Sequence, residues 1–598
     1  MNAPTHTPSP SPVPSPAPSL ARSLLRLPDR VGWRDHAIGA GLALVYFVLL
    51  LATARSLGFP RDEGVYFRAA SDYVGWWRAL LDHPGEALKQ GAIDSAWGFN
   101  HEHPVLMKTL FGISWYLLHV KWHVVTDAST AYRIPAMAVA GAGLWITYLF
   151  GARAYGRRAG LIAAVLLGAM PRVFFHAHLA CFDVPMMTAW IACVYVHWRA
   201  QDRRTLGWTL AAGLVFGLAL ETKHNAWILP AVVVPHALFV HRREIWRGCR
   251  AGRVSLPSSL VSMAVLGPIV FLALWPYLWN DTLARVEWWV NFHLNHEYYN
   301  IEFLGQNYFG PPSPPSYLPV MVLATVPTVT LVLFGIGAFD RATAGARRLV
   351  SWGRARLVPG DRAGTGAATP TDARARGAPP RDRLETDLLL FLSFAAAVAL
   401  FFLPKTPIFG GTKHWLPAYP ALALFAGVGF ERVTAAMRRA LPDLDARRWL
   451  GAQAALFAAV AIAPVAVTAH SHPFGLSSYV PLVGGTAGGA SLGLNRQYWG
   501  YTTEDAAVEY LNPKAPRGAT VFLDDTTYDA WGHMQEEGRV RSDLRAAGAP
   551  SDAQIALVQH ELHMNEVDYS IWTALGTVNP AYVVAHDGVP IVSIYRRP

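Results

Sequence analysis

The chain has 598 residues, 52% of them hydrophobic and only 15% charged. That is more apolar surface than one water-soluble core can bury, which excludes an ordinary soluble enzyme and points to a membrane class. The formal charge of +10 would suit a nucleic-acid binder, but most arginines sit in short loops between apolar runs, where positive charge sets membrane orientation, and no nucleic-acid partner is inferred.

Residues 1–36 are Pro/Ser-rich and then basic, with Arg22, Arg26, Arg30 and Arg34. No short apolar core with a small-residue cleavage site precedes the first long run, so the segment is expected to be a disordered cytoplasmic tail and not a signal peptide. Apolar runs long enough for spans follow at 37–57, 134–150, 159–175, 184–198, 206–221, 226–240, 258–277, 318–338, 387–403, 415–430 and 449–468, about eleven in all. With the N-terminus inside, the cytoplasmic connections read GARAYGRR, WRAQDRR, HRREIWRGCRAGR, the stretch 340–385 and ERVTAAMRRALPDLDARR, all of them Arg-rich. The other connections, including a first outer loop at 58–133, carry His, aromatics, Asp and Glu. Segment 104–120 would invert every later loop if it spanned. Lys108 and His119 interrupt it and Trp115 and Tyr116 favour headgroup depth, so it is expected to lie in the outer interface.

The Arg/Gly/Pro-rich stretch 340–385 reads as a disordered cytoplasmic loop. Beyond residue 470 the spans stop. ATVFLDD, AYVVAHDG and VPIVSIYRR read as strands, 503–511 and 551–566 as helices, and AHDGVP as a hairpin turning at Asp587-Gly588. The whole is an all-α polytopic membrane protein: a transmembrane domain over 37–468 followed by a small extracytoplasmic α/β domain over 469–598. Cys181, Cys193 and Cys249 are too few and too scattered for a disulfide framework or a zinc motif.

Chemistry gathers at one face. Asp62 and Glu63 follow the first span directly, where carboxylates are either an ordinary charged helix end or a base for an incoming hydroxyl. Asp183, before the fourth span and followed by Pro185, would serve equally as a helix N-cap or as a second acid at the same surface. Lys108, Lys223 and Lys413 recur at one depth, either snorkelling or meeting an anionic lipid headgroup. His101, His103, His176, His178, His224, His293, His296 and His414 all fall outside, suited to phosphate or to a divalent metal shared with Glu102, Asp183 or Glu297, although no pair has strong zinc spacing.

In order and spacing these residues resemble the polyprenyl-phosphate-dependent glycosyltransferases of GT-C fold, especially the bacterial relatives of the protein O-mannosyltransferases and the aminoarabinose lipid A transferases. The resemblance rests on Asp62-Glu63, HPVLMK (103–108) for the family's HPPLGK, Arg133, FDVPMM around Asp183 and ETKHN (221–225) for its STKW-like pattern, and covers roughly 37–430. It implies a multi-pass inner-membrane enzyme that moves mannose or a related sugar from a polyprenyl-phosphate donor to a protein, lipid or glycan hydroxyl on the outer face, with inversion. It further implies Asp62 as catalytic base, Glu63 and Asp183 as acceptor-side or pocket-organising acids, and Lys108, Lys223 and Lys413 as donor-phosphate contacts, with His103, Arg133, His224 and His414 beside them. The lipid-linked sugar is then a co-substrate, and a divalent metal stays open. Val105 departs from the HPP pattern, and loop 278–317 is too short for a large lumenal sugar-binding domain. The rival reading is a transporter or flippase of lipid-linked sugars, for which charges within spans or inverted repeats would be expected.

Overall fold

The computed structural model describes residues 31–598 apart from 254–255, 358–382, 409, 502–505 and 562–564. It is mainly helical, with a small sheet unit at the C-terminal end. In chain order, leaving aside the short helices Pro84–Ala87 and Gln90–Trp97, the helices are α1 (Trp33–Thr53), α2 (Arg61–Asp82), α3 (Leu106–Trp115), α4 (Ala128–Ala154), α5 (Arg157–Gly168), α6 (Pro171–His178), α7 (Asp183–Arg203), α8 (Leu206–Leu220), α9 (Leu229–Arg250), α10 (Ser258–Leu274) and α11 (Thr282–Leu294). A two-stranded hairpin, β1 (Ile301–Phe303) and β2 (Gln306–Tyr308), precedes α12 (Tyr317–Thr325), α13 (Thr328–Leu357), α14 (Arg383–Ala399), α15 (Tyr419–Ala440) and α16 (Ala446–Ser471).

Burial sorts these helices. Tyr419–Phe430 of α15 is buried on every side, and α7 nearly so, as befits helices at the centre of a bundle. The outer helices α1 and α16 instead expose Val45, Val48, Ile462 and Val465, an apolar face suited to lipid. Close approach depends on small residues: a Cβ at Gly337 of α13 would collide with the Phe425 carbonyl of α15, and one at Gly427 with the Ala159 carbonyl of α5.

Five helices are long and apolar enough to span a membrane among the described residues, or six if the α5–α6 pair, bent by 67°, is one broken span. This measure does not reach the eleven runs read from the sequence. Helices α8 and α10 are apolar but short, while α7 and α9 carry arginines in their last turns. Run 318–338 is two helices, broken before Pro327. Segment 106–121 is helix α3 continued by one wider turn. The expected disordered loop begins as helix, since α13 runs to Leu357. Its remainder over 358–382, like the tail 1–30, lies outside the described residues.

The C-terminal unit contains β3 (Thr520–Phe522), α17 (Tyr528–Glu536), β4 (Arg545–Ala547), β5 (Ile555–Gln559), α18 (Asn565–Leu575), β6 (Tyr582–His586) and β7 (Val589–Arg596). Its sheet order is β4-β3-β5-β7-β6, with β3 parallel to β4 and β5 and the other pairs antiparallel. Asp587 and Gly588 have φ of 52° and 75°, as a tight hairpin turn requires. The expected helix over 551–566 is incorrect. IALVQ is strand β5, buried at all five positions, and an unbroken apolar run of this length reads alike as buried strand or helix.

The unit is clamped to the bundle. Helix α17 packs on α2, where Gly64 leaves no room for a side chain: a Cβ there would lie 2.7 Å from the Ala530 backbone nitrogen. Glu537 accepts from the Ser129 backbone N–H at 2.6 Å at the start of α4, and Arg539 donates to the Arg55 and Leu57 carbonyls at 3.0 Å beyond α1. The carboxylate meets unpaired amides at the positive end of α4, where negative charge is favoured.

Candidate active site

Helix α2 starts after extended Pro60, and its first amide, that of Arg61, donates to the Trp499 carbonyl at 2.8 Å. The C-terminal unit therefore caps the helix that carries Asp62 and Glu63, two acids in a first turn where the helix dipole favours them. Their side chains diverge. Asp62, with 22% of its side chain exposed, faces Lys413 Nζ at 3.5 Å and Arg61 Nε at 3.7 Å. Glu63 turns inward and is fully buried. It accepts from Arg133 Nε at 2.8 Å, Arg133 Nη2 at 2.5 Å and the Ala180 N–H at 2.8 Å. Arg133 also donates to the Ala54 and Gly58 carbonyls, so this pair ties together α1, α2, α4 and the turn before α7.

Asp183 is the first residue of α7 and makes no cap bond; Phe182 takes the cap position. Its carboxylate instead accepts from Lys223 Nζ at 2.6 Å, with His176 Nδ1 at 3.9 Å. Lys413 lies close to both acids. Its ammonium is 3.6 Å from the Trp499 ring centroid. Burial pushes its pKa down while Asp62 and Asp183 oppose the shift. The structure thus gathers Asp62, Asp183, Lys223 and Lys413, drawn from four separate stretches of chain, into one partly open cluster of two carboxylates and two ammonium groups.

Other expected site residues stand apart from this cluster. Lys108 is buried and donates to the Asn100 carbonyl at 2.6 Å, Asn100 Oδ1 at 3.1 Å and the His103 carbonyl at 3.0 Å. Burial pushes it down to about 7, against the pull of Glu102 and Glu221. Its three hydrogens all have acceptors, so it closes the 100–108 turn on itself. His103, His224 and His293 form a second group whose ligand atoms lie within 4.8 Å of one another. The His224 and His293 rings stack at 4.1 Å, and His293 Nε2 bonds the Glu102 carbonyl. Burial holds all three well below the ordinary histidine range, His293 at about 4. Neutral imidazoles so placed could ligate a divalent metal. His470, His586 and Asp587 form a further group of this kind where α16 meets the β6–β7 turn. His414 packs against Phe401.

Sequence reading missed the contributions of the C-terminal unit. Asp525 accepts from Arg61 Nη1 at 2.9 Å. Burial raises Asp525 despite Arg61, and raises Glu561, whose carboxylate accepts from the Gly500 amide. Trp499 covers Lys413. An Asp-Asp pair after a strand was the one visible signal. Nothing in local pattern marks Trp499.

Residues 112–273 match the family model described as dolichyl-phosphate-mannose-protein mannosyltransferase. The matched stretch includes Arg133, Asp183, Lys223 and His224, and leaves Asp62 and Lys413 outside. Similar solved structures include ArnT from Cupriavidus metallidurans bound to undecaprenyl phosphate, at 17% identity over 94% of this chain and 98% of that one, with a TM-score of 0.43. The apo oligosaccharyltransferase of Archaeoglobus fulgidus is 12% identical over 91% of this chain and 71% of that one, with a TM-score of 0.45. Among curated proteins none matches.

Proposed function

We propose that this chain, a GT-C-like membrane glycosyltransferase similar to the protein O-mannosyltransferases, moves one sugar from a polyprenyl-phosphate carrier to an acceptor hydroxyl at the non-cytoplasmic face of the inner membrane, with Asp62 as base. The observation that carries the reading is the meeting of Asp62 and Lys413 at 3.5 Å, beside the Asp183–Lys223 pair, at helix ends where a lipid phosphate can arrive from the bilayer.

In this reaction the acceptor oxygen attacks the anomeric carbon, the bond from that carbon to the phosphate oxygen breaks, and Asp62 takes the hydroxyl proton. A single displacement inverts the anomeric centre. The leaving group is a phosphate anion, so catalysis needs positioning, a base and cations on the departing oxygen. Lys413 and Lys223 supply the cations, each now paired with a carboxylate that a phosphate would displace or share. Glu63 and Arg133 act as a strut, and Lys108 shapes the loop behind the site. The three-histidine group is the candidate for any divalent metal. Mannose or a related hexose or pentose is the sugar class, and protein, lipid or glycan hydroxyls are the acceptors.

The test is transfer of a fluorescent or radiolabelled sugar from polyprenyl phosphate by the purified protein. Asp62→Asn keeps the size of the side chain and should lower turnover by about 10² to 10⁴, the usual contribution of a positioned base, with donor binding intact. Near-normal turnover by that variant would remove the base assignment and move it to Asp183.

A further inference from the structure

Between the β1 hairpin and the C-terminal unit lies a cleft of about 30 Å³, lined by Arg61, Asn300, Asn495, Tyr498, Trp499 and Glu561. It is next to the candidate site: Arg61 adjoins Asp62 in the chain, and the Trp499 ring that forms its wall covers the Lys413 ammonium. Its polar lining is incomplete. Asn300 Oδ1, Asn495 Oδ1 and Trp499 Nε1 are each cut off from solvent and have no hydrogen-bond partner among the described residues. Asn495 is 8% exposed and Trp499 4%. An unmatched buried polar atom costs about 1–3 kcal/mol, and these, with the Tyr498 hydroxyl beside them, on the residues around one opening call for a ligand that completes them. Trp499 also has φ of 63°, an uncommon backbone state for so bulky a residue and one that collects at functional sites.

Size and donor pattern narrow the ligand. A water-sized group needs about 10–15 Å³ of such space, so the cleft admits roughly two, too little for a whole pyranose ring. Two amide oxygens accept, one indole N–H donates and the Tyr498 hydroxyl can do either, a set that suits a pair of sugar hydroxyls. Resting on the glycosyl-transfer reading, we infer that this cleft is a sugar subsite that grips two neighbouring hydroxyls of a sugar ring lying across its mouth, with the C-terminal unit supplying the grip. The ring belongs either to the lipid-linked donor or to a glycan acceptor.

The test uses the full chain in lipid nanodiscs and the single variants Asn495→Ala and Asn300→Ala. Equilibrium binding is measured for undecaprenyl phosphate and for the same lipid carrying mannose, glucose or arabinose. A net hydrogen bond contributes about 0.5–1.5 kcal/mol, so each variant should weaken the best sugar-carrying lipid about three- to tenfold while bare-lipid binding, which also reports folding, is unchanged. If donor binding is unchanged but KM for a glycan acceptor rises by a similar factor, the subsite stands and holds the acceptor sugar. Asn495→Leu and Asn300→Leu, which keep the side-chain volume while removing the acceptor oxygen, repeat the comparison should either alanine variant lose the bare lipid as well. Unchanged donor affinity together with unchanged acceptor KM in folded variants would overturn the subsite. Wild-type protein that binds no polyprenyl phosphate and transfers no sugar would instead overturn the glycosyl-transfer reading, and the subsite with it.

Discussion

Glu63→Gln separates a structural acid from a chemical one. In the folded protein Glu63 is 0% exposed and faces three donors: Arg133 Nε, Arg133 Nη2 and the Ala180 amide. A glutamine has one acceptor oxygen and one donor nitrogen. Whichever way its amide lies, an N–H must oppose an N–H. The Arg133 guanidinium then keeps the Ala54 and Gly58 carbonyls and one bond to the amide oxygen, with no counter-charge in a dry environment. Removing one partner of a buried ion pair costs about 3–5 kcal/mol, a large part of a total stability of about 5–15 kcal/mol. The ratio of folded to unfolded chain should fall by on the order of 10² to 10⁴, read as a lower melting temperature and less protein in the detergent-soluble membrane fraction. Turnover per folded molecule should change little. Glu63→Leu combined with Arg133→Met should recover much of the loss, because a well-packed apolar pair can replace a buried ion pair at little cost. A Glu63→Gln protein as stable as wild type, or one stable and inactive, would refute the strut and return Glu63 to the chemistry.

Lys413→Met should weaken polyprenyl-phosphate binding at least about tenfold, whereas Lys108→Met should lower stability with little change in the affinity of the molecules that fold; equilibrium lipid binding beside thermal melting distinguishes the two. Gly64→Ala drives a methyl group against Thr527 and Ala530 and should cost about 1–3 kcal/mol, seen as faster proteolytic release of the C-terminal unit. Burial pushes Asp524 up to about 8, so the folded state holds a proton that the unfolded chain loses near pH 4. The associated stability is full below that pH and is lost as pH rises through about 8. Melting temperature should therefore fall from pH 5 to 9, less steeply in Asp524→Asn, and an identical slope in the two proteins would refute the assignment.

The sequence made the outer acids visible because Asp62 and Glu63 stand directly after an apolar run, and made Lys223 and Asp183 visible as charges beside such runs. It could not separate the roles of adjacent residues. One helical step of about 100° turns Asp62 to the open side and Glu63 into the core, and only Arg133, seventy positions on, reveals which is which. Lys108 looked like a headgroup contact because its carbonyl partners leave no signature in residue type. Strand β5 was hidden by its complete burial, which removes the alternation that marks a half-exposed strand. Trp499 stands in LNRQYWGY (494–501), where no local pattern marks it, and its position over Lys413 is a purely tertiary fact.

The first amide of α2 takes its acceptor from Trp499, and Arg61 takes its counter-charge from Asp525. During synthesis the helix bearing Asp62 is made more than four hundred residues before those partners exist. Until they arrive, the start of that helix lacks its cap and Lys413 lacks its aromatic cover. Assembly order thus works as a timer: a half-made chain carries Asp62 on a helix start that still lacks the Trp499 carbonyl and the Asp525 carboxylate.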